Sequence, residues 1–191
     1  MQVARKLMHA ALAAVPIAGW LFEPWVALVL AGLLVLGSLA LEMGRRFWPW
    51  IDRTLWGLAP GLFRPGEEQG ILGSTWFAFS MLGVLFFFGQ DLGGLVVLYL
   101  ALGDPAAEIA GRRWGRPGVR KTWAGSAACL VVCLATATAA ALLGLVHPAV
   151  ATAGAVAAAA AERWSPPPTD NIWMPLFSAM VMAACYQLLL V

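Results

Sequence analysis

Charge is scarce in this sequence. Only 12% of its 191 residues are Asp, Glu, Lys or Arg, whereas 61% are hydrophobic. A soluble domain is about a quarter charged, so the chain has too little polar side chain to cover a water-facing surface. Composition therefore excludes a soluble globular domain and predicts an all-α integral membrane protein, one bundle and one domain over 1–191. Cysteine is also rare: Cys129, Cys133 and Cys185, all inside apolar runs. Cys129 and Cys133 are four apart and can share a helix face, a spacing seen in metal sites. The nearby residues supply no further ligands, and small buried hydrophobes are the better reading. No cleavable signal peptide stands out either. The first apolar run follows Arg5 and Lys6 and continues to Phe22 with no small-residue cleavage site, so it reads as the first membrane helix. No internal repeat is evident, and the charges avoid the middle of the apolar runs. Both features argue against a transporter.

Seven apolar segments are present, at about 7–22, 24–42, 70–89, 91–103, 122–146, 148–162 and 171–190. A full crossing needs roughly 20 residues. The fourth and sixth are shorter and rich in Gly or Ala, which lets helix backbones approach closely. They are expected inside the bundle, away from lipid. With the N-terminus in the cytoplasm and the segments alternating, all 12 Lys and Arg fall on the cytoplasmic side. The positive-inside rule is ordinarily a bias. A partition this complete supports about seven crossings, in a cell inner membrane, with the basic face inward. The loop after segment two carries Phe47, Ile51, Leu55, Leu58 and Leu62 at near-helical spacing, with Trp48, Trp50 and Trp56 around them. That pattern predicts one amphipathic helix lying at the membrane interface.

Acids are costly in a membrane unless they are solvated or used. Glu23 and Asp91 fall at external ends. Asp104, Glu108, Glu162 and Asp170 fall at cytoplasmic helix ends. In "GDPAAEIAGRRWG", Asp104 before Pro105 reads as a helix N-cap with Pro at the first helical position. Glu108 would share its face, and two such carboxylates can hold a divalent cation. Ala107, Gly111 and Gly115 recur every fourth residue, so one side of this helix is bare and open to close approach by a helix or a nucleotide. Arg112, Arg113, Arg116, Arg120 and Lys121 follow. They serve either as topology signals or, with the N–H groups of Gly115 and Gly118, as a phosphate cradle. "KTWAGS" starts the next helix with Thr122 or Ser126 as a local cap. Lys121 would face any anion at that helix N-terminus. Asp170 reads as the cap of the last helix, with Asn171 one residue deeper. At the N-terminus Arg5 and His9 share a face; His9 in an apolar run is more often a satisfied core residue than a catalyst. Together the acids and cations suit Mg²⁺ and polyphosphate.

The order "RKLMH", "FRPGEEQGILGSTWFAFS", "GDPAAEIAGRRWG", "KTWAGS", "TDNIWMP" resembles the polyprenol kinase family over most of the chain. That family includes dolichol kinase, phytol kinase and the CTP-dependent diacylglycerol kinase, and is distantly related to phosphatidate cytidylyltransferase. The resemblance implies a membrane enzyme moving the γ-phosphoryl group of CTP to the hydroxyl of a lipid alcohol at the cytoplasmic face. By motif, Arg5, Lys6 and His9 match its N-terminal element, and Asp104, Ala107, Gly111 and Gly115 match its GD…A…G…G element. Lys121, Gly125 and Ser126 match the K…GS element; Asp170 and Asn171 match the DN pair, with Glu162 the acid upstream. On this reading Asp104, Asp170 and Glu162 hold Mg²⁺. Arg5, Lys6, Arg112, Arg116 and Lys121 bind the triphosphate, and His9 or a remaining acid such as Glu108 orients the lipid hydroxyl. The expected partners are the bilayer, a lipid alcohol and a nucleoside triphosphate, with no nucleic acid. The Ala- and Gly-rich helices also suit a homodimer. The cytidylyltransferases carry a longer, more charged C-terminal motif than "TDNIWMP", which favours kinase over CDP-lipid synthesis. A non-enzymatic transporter or scaffold is the remaining alternative.

Overall fold

The structure, a computed structural model, describes residues 3–58, 67, 70–115, 121–164 and 169–189, with backbone alone for residues 3–6 and 58. Among these residues every regular element is helical. In order they are α1 (Val3–Leu12), α2 (Ala14–Leu21), α3 (Pro24–Phe47), α4 (Pro49–Leu58), α5 (Gly73–Leu98), a π-helical turn (Tyr99–Gly103), α6 (Asp104–Trp114), α7 (Trp123–Leu142), α8 (Pro148–Trp164) and α9 (Asp170–Leu189). Four helical stretches are long and apolar enough to cross a membrane: Pro24–Phe47, Gly73–Trp114, Trp123–Leu142 and Asp170–Leu189; Leu7–Leu21 is a shorter apolar one. Their outer surfaces are greasy, with Leu33, Leu36, Phe86, Phe87, Val131 and Leu142 exposed. This is an all-α membrane protein.

All seven apolar segments fall in helices, but the boundaries differ instructively. Segments three and four are continuous in α5, which breaks at Gly89 with φ 75° and ψ 178°. Only glycine adopts such a backbone without strain. The chain doubles back there. A Cβ built on Gly93 would lie 2.4 Å from the Val84 carbonyl oxygen, whereas nine residues of straight helix separate two positions by about 13 Å. Gly93 is thus where the two arms touch backbone to backbone. Gly93→Leu is expected to unfold or misassemble this hairpin, read as loss of a monodisperse peak and of thermal stability in detergent.

Segments four and six lie inside, as their short length and small residues predict. Leu95, Val96, Val97, Tyr99, Leu100 and Ala101 are buried, as are Val150, Ala151, Gly154, Ala155 and Ala158 of α8. Alanine suits α8 because it packs between α7 and α9 and meets protein on most of its surface. Polar links cross these apolar interfaces: Tyr99 Oη donates to the Ala151 carbonyl (2.8 Å) and Ser178 Oγ to that of Gly154 (2.8 Å). Pro175 within α9 has no N–H for the Asn171 carbonyl. Ser80 Oγ donates to that freed oxygen instead (2.6 Å), tying α9 to α5.

Three expectations need correction. Asp104 is not an N-cap. Gly103 and Asp104 both have right-handed helical backbone, and the helix runs through the π turn into α6. A widened turn admits Pro105 without ending the helix, because it relaxes the demand for an N–H to the carbonyl four residues back. Asp170 is not the cap of α9 either: Thr169 Oγ1 accepts the Asn171 N–H (3.2 Å). The amphipathic helix also starts later than its apolar spacing suggests. Phe47 ends α3, and Pro49 starts α4 after the extended Trp48. Trp48 and Trp50 are exposed; Leu62 lies outside the described residues.

Candidate functional site

One end of the bundle gathers the polar residues. The opposite end is marked by Trp20, whose indole N–H donates to Asp91 Oδ1 (3.0 Å), and by Gln90, whose amide donates to the Pro16 carbonyl (2.7 Å). From Gly73 to the Gly89 bend α5 climbs about 24 Å, so the two ends are well separated.

At the polar end Lys121 is the centre. Its ammonium bonds Glu162 Oε1 and Asp170 Oδ2, both at 2.9 Å. Ser126 Oγ donates to the other Glu162 oxygen (3.0 Å), and Thr169 Oγ1 donates to Asp170 Oδ1 (3.1 Å). Glu162 and Asp170 are buried. Burial pulls the Lys121 ammonium toward a lower pKa. The Asp170 charge and the Glu162 hydrogen bond outweigh that pull and hold it above the usual lysine value. A raised lysine pKa means that the ion pair supports the fold at every pH below the ordinary lysine range and is lost only as pH rises through the raised value. Thr122 caps α7 by accepting the Gly125 N–H (3.1 Å), one of the two local roles the sequence allows. Arg163 braces this corner: it donates to the Lys121 carbonyl (2.9 Å) and stacks 4.2 Å over the Trp123 ring.

Asp104 lies under the N-terminal helix. His9 Nδ1 is 3.7 Å from Asp104 Oδ2, both residues are buried, and the imidazole meets Phe77 edge-on. Glu108 bonds Arg112 at 2.8 Å, a partly exposed i,i+4 pair. Asp104 thus meets His9 and Glu108 meets Arg112, two contacts made from one helix. Cys129 and Cys133 lie beneath Gly103, their sulfurs 3.9 Å apart and buried; a Cβ on Gly103 would come within 2.8 Å of the Cys133 sulfur. They act as small packing groups, as their setting predicts.

The bare strip of α6 serves helix contact. A Cβ on Gly125 would meet the Ala107 carbonyl oxygen at 2.7 Å, one on Gly111 the Thr122 hydroxyl at 2.9 Å, and one on Gly115 the Thr122 methyl carbon at 2.5 Å. Ala107, Gly111, Gly115 and Gly125 thus let α6 and α7 close together, carrying Lys121 toward Glu162. Arg116 lies outside the described residues, and so do the side chains of Arg5 and Lys6.

One participant gave little signal in sequence. Glu42, in the last two turns of α3, is buried; its Oε1 accepts from the Leu72 N–H (2.6 Å) and from Thr75 Oγ1 (3.3 Å). Glu67 Oε1 accepts the Gly73 N–H (2.9 Å). Two carboxylates from outside α5 therefore serve its N-terminal N–H groups, where negative charge is favoured. Buried Arg45 holds this corner, 3.2 Å from Asp52 Oδ1 and 3.7 Å from Glu42 Oε2, and donates to the Glu67 carbonyl (2.7 Å). The E-x-x-R spacing at a span's end was the available clue. Asn171 joins this corner to the Lys121 cluster: its amide donates to the Gly73 carbonyl (2.7 Å), while its Oδ1 is buried without a hydrogen-bond partner among the described residues.

Among the described residues no group of three or more His, Cys, Asp or Glu is arranged to hold a metal ion. Mg²⁺ does not demand such a cage. It commonly takes one or two carboxylates together with substrate phosphates, and Glu162 and Asp170, converging on one cation, are donors of that kind. No family model, curated protein or solved structure matches the chain.

Proposed function

We propose that this protein is a CTP-dependent lipid-alcohol kinase of the polyprenol kinase type. The observation that carries the reading is the buried meeting of Lys121 with Glu162 and Asp170, flanked by Ser126 and Asn171, at the end where His9 and Asp104 also pair. Residues far apart in sequence converge there, and they are those the family resemblance selects. A cation with several hard oxygen donors at a bilayer edge suits phosphoryl transfer, which rests on positioning and charge neutralisation.

In this reading seven segments cross the membrane: Leu7–Leu21, α3, the two arms of α5, α7, α8 and α9. The N-terminus and the basic loops are cytoplasmic, following the charge partition. The lipid alcohol arrives sideways from the bilayer and CTP from the cytoplasm. Lys121 exchanges its carboxylate partners for phosphate oxygens as the nucleotide binds, with Arg112, Arg116, Arg5 and Lys6 joining it. Asp170 and Glu162 would hold Mg²⁺, which would neutralise charge on the phosphates. Asp104 keeps His9 oriented, and His9 or a free carboxylate accepts the hydroxyl proton. The lipid oxygen then bonds to the γ-phosphorus as its bond to the β-phosphate oxygen breaks, and CDP leaves.

The test uses purified protein, Mg²⁺, and CTP labelled at either the α or the γ position, with a panel of lipid alcohols. Label from the γ position on the lipid is the expected result. Transfer of the α label to added phosphatidate, with pyrophosphate released from CTP, would instead make the protein a cytidylyltransferase. Transfer from neither position would leave the transporter or scaffold reading.

A further inference from the structure

The corner where α3 meets α4 carries cations that the rest of the fold leaves unused. The stretch Pro24–Phe47 is long and apolar enough to cross a membrane, and Arg46 lies in its last turn. Trp48 is extended, and Pro49 starts α4, whose main helix contact is with α3. α4 has one acid, Asp52, and the protein itself takes it up: its Oδ1 accepts from Arg45 Nε (3.2 Å) and from the Trp56 indole (3.2 Å). Outside that contact stand Arg46, Phe47, Trp48, Trp50 and Arg53, all exposed. Phe47 and Trp48 meet edge-on, with ring centres 6.4 Å apart. Arg53 Nε donates to the Pro49 carbonyl one turn back (3.3 Å). Among the described residues neither Arg46 nor Arg53 pairs with a carboxylate. Two uncompensated guanidinium groups therefore stand among three bare aromatic rings at the end of a membrane span.

We propose that this corner is a docking surface for anionic phospholipids, with Arg46 and Arg53 holding headgroup phosphates while Phe47, Trp48 and Trp50 rest beside the glycerol and the upper acyl chain. The rings set the depth. Tryptophan settles at the level of the lipid headgroups, and Trp48 directly follows Phe47, the last helical residue of the span. The cations set the charge. At that depth a guanidinium meets lipid phosphate, which it binds through paired N–H donors. In a zwitterionic lipid the phosphate is balanced by the lipid's own ammonium. Two spare positive charges therefore favour a headgroup with net negative charge. Such docking depends only on residence in a membrane, and it stands whether or not the protein transfers phosphate.

The test places the full chain in phosphatidylcholine nanodiscs with a trace of photoreactive lipid. The probe is phosphatidylglycerol in one preparation and phosphatidylcholine in the other, each with a diazirine on the acyl chain close to the glycerol. Labelled residues are mapped by mass spectrometry. The phosphatidylglycerol probe should label residues 46–53 roughly fivefold more than the phosphatidylcholine probe, the effect of about one basic residue at an anionic surface. The preference should weaken as salt is raised. Arg46→Gln with Arg53→Gln should bring the two probes to about parity. Arg46→Lys with Arg53→Lys keeps the charge and should keep most of the preference. Both side chains are exposed, so both double variants should unfold close to the wild-type temperature in detergent. Equal labelling by the two probes in the wild type, or a preference that survives the Gln pair, would overturn the proposal. So would loss of the labelling to an equal concentration of soluble glycerol phosphate, which would make the surface a reader of free phosphate. Crosslinks from residues 46–53 to a second copy of the chain in place of lipid would overturn it as well.

Discussion

Lys121→Met is expected to be the most damaging single substitution in the polar end. It would remove the ammonium that the buried Glu162 and Asp170 share. Stranding a buried charge by removing its partner costs about 3–5 kcal/mol, a large part of the stability of a small domain. The physical cause can be isolated. Replacing all three by neutral near-isosteres (Lys121→Met, Glu162→Gln, Asp170→Asn) removes the like-charge repulsion along with the attraction. Thermal unfolding in detergent should then return most of the way to wild type, while transfer from γ-labelled CTP stays absent. If the single and triple variants were equally unstable, the loss would come from packing and not from charge. If Lys121→Met kept full transfer, Lys121 would have no part in phosphate binding.

Asp104→Asn should separate chemistry from folding. The amide matches the carboxylate in shape and still faces His9, so the α1–α6 contact survives and the unfolding temperature should move little. The negative charge is lost, and with it the orientation of His9. Transfer should drop by about 10²- to 10³-fold or more, the scale seen when one preorganised electrostatic group is removed from a site. The check is γ-label transfer at saturating lipid, beside an unfolding curve. Wild-type activity in Asp104→Asn would remove this residue from the mechanism.

Much of the architecture is legible without coordinates, because the bilayer imposes a simple code. The long apolar runs became helices, and the short, small-residue segments 91–103 and 148–162 were buried, since Gly and Ala permit packing that a lipid-facing helix does not need. The site residues were legible as types: acids and lysine beside apolar runs are costly and so conspicuous. Their partners were not. Nothing in the spacing of Lys121, Glu162 and Asp170 states that one ammonium bonds both acids, since the pairs are 41 and 49 positions apart and meet only because α8 packs between α7 and α9. The Ala107–Gly111–Gly115 strip was readable as bare, but whether a nucleotide or a helix would use it depended on where α7 came to rest.

By itself, then, the sequence determined that this is a helical membrane protein, because hydropathy acts locally and adds up along the chain. Tertiary structure alone decided that α5 doubles back at Gly89, that Asp104 faces His9 while Glu108 faces Arg112, and that Glu42 reaches across to α5 with one oxygen left over. Each depends on which helix surfaces meet, a matter of shape and of satisfying buried polar atoms that no local pattern encodes.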